Sequence, residues 1–264
     1  MVRPVGRKQE GSAVKTVAKV LDILEHLGTL GRPATVSEVA MTTGINVSTA
    51  HRLLQTLARR HYLEQSQETR AYTLGPRLFE LGSSYARNMD LVSISRPFIE
   101  QLRDATGETV HLAILSDREV VEVCTAAGSQ TVTVSRGTGR RDPASCTATG
   151  KVMLAYLTPA ELENFFAGGP LPAATPKSIT QPKKFVAELA RVRANGFALD
   201  EQELSEDVCC VGAPIRNGPD RVIAAISVAM PKARFRQDKV PEWTKLLMET
   251  AARISSVIRL SSAG

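Results

Sequence analysis

No apolar run in these 264 residues approaches the roughly 20 needed for a membrane-crossing helix. The basic N-terminus, MVRPVGRKQEGSAV, has no apolar stretch behind it, so it reads as a short basic arm rather than a secretory signal. The expectation is a cytoplasmic protein with no membrane partner. The four cysteines, Cys124, Cys146, Cys209 and Cys210, form no CxxC pair and no regular framework, which points to reduced thiols rather than a disulfide scaffold. The four histidines, His26, His51, His61 and His111, lack ligand spacing, and Thr149-Gly150-Lys151 lacks the upstream glycines of a nucleotide loop. Neither metal nor cofactor is expected. There are no repeats and no low-complexity segment.

Another absence is local. The stretch 45–63, INVSTAHRLLQTLARRHYL, contains no acid. At 100° per residue it forms a helix with Val47, Ala50, Leu53, Leu54, Leu57 and Ala58 on one side. Ser48, Arg52, Gln55, Thr56 and Arg59 lie on the other, flanked by Thr49 and His51. Short donors and arginines without carboxylates suit acceptor-rich phosphates and base edges. A solvated face is the plainer alternative, so the flanking order matters. Residues 13–28 carry an apolar stripe (Val14, Val17, Leu21, Leu24) and stop at Gly28. TVSE at 35–38 has the form of a capping box, Gly44 suits a left-handed turn, and Asn46 can cap the acid-free helix. YLEQSQETRAYTLG then reads as two short strands, with Arg70 near the bend.

Together these predict a winged helix-turn-helix over 1–75. Charge agrees: residues 1–88 hold 12 Lys/Arg against 7 Asp/Glu, whereas 89–264 hold 21 against 20. A basic small domain beside a nearly neutral larger one suggests that only the first meets a polyanion. Double-stranded DNA is the expected partner. Asn46, Ser48, Thr49, His51, Arg52, Gln55, Arg59 and Arg70 are its candidate contacts.

Residues 76–95 read as a linker helix able to pack on a partner subunit or simply to cap the small domain, with Pro97 marking a new start. In 96–264, three strands are expected at 108–115, 119–126 and 130–136. Helices follow at 149–158 and 182–197, then a strand pair at 207–215 and 221–230 around RNGPDR, and an amphipathic helix at about 241–260. Hairpins separated by helices predict an α+β domain with a mainly antiparallel sheet.

The stretches STAHRLLQTL, ETVHLAIL, CTATGKVMLA and GFALDEQELSEDVCCVGAPI resemble, in order and spacing, the IclR family of bacterial transcriptional regulators along essentially the whole chain. The resemblance implies a winged helix that binds operator DNA as a dimer, a linker helix, and a GAF-like domain. That last domain would bind a small effector, commonly an organic or aromatic acid, and assemble tetramers. It places the effector pocket at Ala148, Thr149, Asp200 and Cys210. Backbone N–H groups at a helix start and the hydroxyls of Thr147 and Thr149 favour an anion. Asp200 would need to accept a hydroxyl or share a proton. Leu112 and Met153 are expected as apolar walls. Many members carry a His where this chain has Ser145.

Two rivals stand beside this reading. Cys210, near acids and with His111 on another strand, would be the nucleophile of an enzyme, although a buried cysteine acting as a small hydrophobe is the plainer account. No enzymatic activity is expected. Alternatively, the second domain only oligomerises. GRRD at 139–142 is either a phosphate grip or a solvated loop.

Overall fold

The computed structural model describes residues 14–88, 90–134, 137–218 and 221–261, with the backbone course alone for 83–88, 90 and 261. The N-terminal arm therefore lies outside the described residues. The chain divides into two compact units, 1–88 and 89–264.

The first unit opens with α1 (Lys15–Leu30), whose Ile23 and Leu27 are fully covered. The helix runs through Gly28, the expected stop, because Leu30 packs on the same core. It ends at Gly31, whose φ of +65° is left-handed and whose N–H reaches the Leu27 carbonyl. The capping box at α2 (Val36–Thr43) is present: Thr35 accepts from the Glu38 amide, and the Glu38 carboxylate accepts from the Thr35 amide. That carboxylate is held below its usual range, chiefly by the Thr35 N–H and hydroxyl. Gly44 turns the chain at φ +69°, and Asn46 caps α3 (Val47–Arg59) by accepting from the Ser48 amide at 2.9 Å. β1 (Leu63–Gln65) and β2 (Tyr72–Leu74) form the wing. Ala34 and Tyr72 exchange backbone hydrogen bonds of 2.9 and 2.7 Å, fastening the wing to the α1–α2 connection. Ala50, Leu54 and Leu57 of α3 complete this core. Val47, expected on the apolar side, is 54% exposed in the first turn.

The expected linker is two helices: α4 (Pro76–Asn88) closes the first unit and α5 (Asp90–Thr106) opens the second. Pro97 does not start a helix; it lies inside α5. An interior proline forfeits a helical hydrogen bond at about 3 kcal/mol. Burial of Leu91, Ile99 and Leu102 on either side of it offsets that loss.

The second unit is an antiparallel six-stranded sheet. Its strands are β3 (Thr109–Ser116), β4 (Glu119–Ala126), β5 (Arg141–Pro143), β6 (Ala198–Glu201), β7 (Val208–Arg216) and β8 (Val222–Pro231). They lie in the order β5-β4-β3-β8-β7-β6. The third expected strand, 130–136, is not one: residues 131–134 are irregular, and 135–136 lie outside the described residues. The edge beside β4 is occupied instead by Arg141–Pro143, with Val120 opposite Asp142. β6 is an addition to the expected strands. Residues 219 and 220, in the middle of the expected RNGPDR turn, also lie outside the described residues.

One face of the sheet packs on α5 and α9 (Val240–Ser261), through Val110, Leu112, Val211, Ile226, Leu247 and Ile254. The opposite face meets α6 (Ala148–Leu154), α7 (Pro159–Ala167) and α8 (Pro182–Asn195), through Ala113, Ala225, Val152, Phe165, Phe185 and Leu189. The helix expected over 149–158 is thus split. α6 ends near Ala155, and Thr158 starts α7 with a second capping box to Glu161. Among the described residues no helix is long and apolar enough to cross a membrane.

Candidate functional site

On α3 the structure exposes Asn46, Ser48, His51, Arg52, Gln55, Thr56 and Arg59, and half-exposes Thr49. The apolar stripe holds the helix down and turns these side chains outward. The Ser48 hydroxyl donates to the Asn46 carboxamide at 2.7 Å, so the cap also orients a candidate contact. Arg70 sits exposed on the wing at a left-handed φ of +57°, its carbonyl accepting from the Gln65 side chain at 3.0 Å.

The second unit contains a small cavity of about 30 Å³, partly open to solvent, between the sheet and the start of α6. Ala148, Thr149, Asp200 and Cys210, the four positions carried over by resemblance, all line it, as does Thr147. Close backbone approach brings them together. A Cβ on Gly150 would lie 2.1 Å from the Ala144 carbonyl oxygen, and one on Gly212 would lie 2.8 Å from the Ala148 carbonyl carbon. Glycine at 212 lets α6 start flat against β7, and glycine at 150 lets the 144–146 turn fold closely against α6. Thr147 caps that start, accepting from the Gly150 amide at 3.0 Å. Asp200 and Cys210 face each other in register on β6 and β7.

Leu112 and Met153 are not among the described lining residues. Alternation on β3 sends Leu112 to the opposite face, into the core under α5 and α9, while His111 and Ala113 line the cavity. Met153 lies a full turn along α6 and packs among Phe165 and Phe185. Ser145 is buried but does not line the cavity. Val120, Glu122, Val134, Leu204, Val208 and Ser227 line it without having been singled out by sequence reasoning, and Asp142, the last residue of GRRD, lines it too. A hint was present for Glu122, an acid in the middle of an apolar strand.

Asp200 is 1% exposed, and burial pushes its pKa up to about 7. The Glu203 amide donates to its carboxylate at 2.7 Å and opposes the rise, while the charge of Glu203 adds to it and that of Lys151 reduces it. Lys151 is itself buried, with its ammonium paired to Glu203 and 3.3 Å from Glu188. This group ties α6 to α8 and to the β6–β7 connection behind Asp200. Burial raises Glu203, and Lys151 draws it back. Asp142 is matched by Arg140, whose Nε donates to both carboxylate oxygens at 3.2 Å, and Arg141 pairs with Glu119. Both arginines of GRRD are therefore engaged with acids. Cys209 is buried next to Cys210, and burial with nearby acids pushes its thiol up to about 11, away from the thiolate.

Residues 16–67 match the IclR helix-turn-helix domain, and residues 83–256 match the C-terminal region of bacterial IclR transcriptional regulators. The regulator BhcR of Paracoccus denitrificans is 31% identical over 258 residues, covering 96% of this chain and 92% of its own. KdgR of Escherichia coli is 30% identical over 248 residues, covering 94% of each chain. Among solved structures, the IclR regulator of Alicyclobacillus acidocaldarius has a TM-score of 0.82 at 28% identity, covering 94% of this chain and 100% of its own. An IclR homolog of Microbacterium hydrocarbonoxydans complexed with 4-hydroxybenzoate also has a TM-score of 0.82, at 25% identity, covering 93% of this chain and 99% of its own. With a basic helix-turn-helix unit, a sheet domain enclosing a polar cavity, and both family regions matched, the chain belongs to the IclR family of bacterial transcriptional regulators.

Proposed function

We propose that this regulator binds operator DNA through the exposed face of α3 and that a small organic acid in the second unit's cavity changes that binding. One observation carries the reading: Ala148, Thr149, Asp200 and Cys210, from three separate elements, converge on one buried polar cavity in a chain whose other unit presents an acid-free helix. In this reading Ser48, Thr49, Arg52 and Gln55 meet base edges. Asn46, His51, Arg59 and Arg70 lie along the phosphates. The leading amides of α6 and the Thr149 hydroxyl receive the acid group, and Asp200, with a pKa near 7, shares or gives up a proton beside it. The complexed 4-hydroxybenzoate in the Microbacterium hydrocarbonoxydans homolog supports a small organic acid as the class.

Residues 1–75, 76–95 and 96–264 serve as DNA-binding, linking and sensing parts. Val14, Val17 and Leu21, spaced along one side of α1 and 67%, 55% and 51% exposed, support a homodimer or tetramer that covers them. The regulators among its relatives support a role without catalysis.

Fluorescence anisotropy on the DNA upstream of the gene, against scrambled DNA at several salt concentrations, tests the reading once organic acids are added. Selective binding that one acid alters is the expected result. Melting that depends on protein concentration but is indifferent to every acid would leave the second unit as an oligomerisation domain only.

A further inference from the structure

The effector-binding reading places an acid group near α6 but leaves the far wall of the cavity, on β3 and β4, without a task. His111 and Glu122 stand there, both buried and both lining the cavity. Their juxtaposition comes from a register break. Leu112 pairs with Cys124, but Ala113 pairs with Glu122, so Val123 is an extra residue in β4. Beyond the bulge, Cys124 and Ala126 point into the core under α5 and α9; before it, Val120 and Glu122 point into the cavity. A bulge that re-aims a side chain is a common device beside functional sites. Here it sets a carboxylate into the middle of a sheet, where burial is costly unless the group is partnered.

The partnering is incomplete. His111 Nδ1 lies 3.2 Å from the Thr125 hydroxyl and 3.4 Å from Glu122 Oε2. His111 Nε2 and Glu122 Oε2 are buried without a hydrogen-bond partner. Buried polar atoms are almost always bonded. Two such atoms together on a cavity wall call for a group that both donates and accepts. A hydroxyl satisfies the pair when Nε2 carries the imidazole proton: it accepts from Nε2–H and donates to Glu122 Oε2. A second carboxylate would meet Glu122 as a like charge. An ammonium would suit the imidazole only when Nε2 carries its lone pair.

We propose that His111 and Glu122 form a hydroxyl-recognition subsite, so that the effector is a small hydroxy acid held by its acid group near Thr149 and by its hydroxyl at the β3–β4 wall. This rests on the cavity being the effector site. Asp142, the other acid on this side, is already matched by Arg140.

The test is isothermal titration of the full-length protein with matched acids: 4-hydroxybenzoate and benzoate, 3-hydroxybutyrate and butyrate, and 4-aminobutyrate as the cationic counterpart. A site built to bond a hydroxyl rejects the analogue lacking it, so at least one hydroxy acid should bind about tenfold or more tightly than its deoxy partner. In Glu122→Gln that ratio should collapse towards one. His111→Gln carries the same comparison should Glu122→Gln fail to fold by circular dichroism. Equal affinities within both pairs, as when ordered water satisfies the wall, would overturn the subsite while leaving the cavity as an effector site. So would tighter binding of 4-aminobutyrate, or an unchanged ratio in both variants. Absence of binding by every acid would instead overturn the effector reading itself.

Discussion

At the scale of single residues, Arg52 and Asp200 have opposite environments. Arg52 stands in solvent on α3, free to meet a base edge or a phosphate. Arg52→Ala should weaken operator binding by about 1–3 kcal/mol and relax specificity at one position if the arginine reads a base. Equal weakening on operator and scrambled DNA would make it a phosphate contact. Asp200 is a buried carboxyl whose folded pKa, about 7, is above its usual 3.8. Folding therefore takes up a proton between these values, and stability falls as pH rises from about 4 to about 7. The contribution is on the order of a few kcal/mol, since a tenfold change in proton affinity between the unfolded and folded chain is worth about 1.4 kcal/mol. Asp200→Asn keeps an acceptor for the Glu203 amide but cannot ionise. Its chemical-denaturation free energy should decline less than wild type over that window. Parallel curves for the two proteins would show that Asp200 stays charged in the fold.

At the scale of elements, α6 carries the site, and two devices hold it. The first is steric. Gly150→Ala would drive a Cβ into the Ala144 carbonyl, so destabilisation of about 1–3 kcal/mol or more is expected, with looser effector binding, because the helix start must lift from its seat. The second is electrostatic. Lys151 bridges α6 to Glu188 on α8 and to Glu203 after β6. Lys151→Met would leave Glu203 behind without its buried cation, at a cost of about 3–5 kcal/mol, while Glu188 keeps Arg191. Adding Glu203→Gln should recover part of that loss. A double variant no more stable than the single would show that the lysine acts by packing rather than charge. Urea denaturation measures all three.

At the scale of the whole molecule, charge is divided unevenly. The first 88 residues carry nearly all the excess of Lys/Arg over Asp/Glu, so DNA affinity should fall steeply with salt while acid binding to the second unit should not. Arg59→Ala should reduce the slope of log affinity against log salt by about one, if Arg59 contacts a phosphate. An unchanged slope in anisotropy titrations would remove it from the interface.

What the sequence alone determined is whatever depends on local chemistry. The capping box at Thr35, the turn at Gly44, the two-sided α3 and the apolar strands β7 and β8 are written in neighbouring residues, because caps, turns and periodicity act within a few positions. The second capping box, at Thr158, is equally local, although apolar periodicity alone reads through it as one longer helix. Other features were decided only by tertiary structure. The register break at Val123 leaves the burial of β4 alternating without interruption, yet switches which face each buried residue serves. The acid in EVVEVCTA hints at Glu122, but the alternation of the strand would put Glu122 and Cys124 on one face, and only the bulge sends them to opposite ones. Leu112 and Met153 are apolar residues beside the site that face away from it, and the pocket gathers residues from six strands and one helix start. Strand pairing and sheet order, rather than local propensity, set those neighbours, and with them the cavity's chemistry.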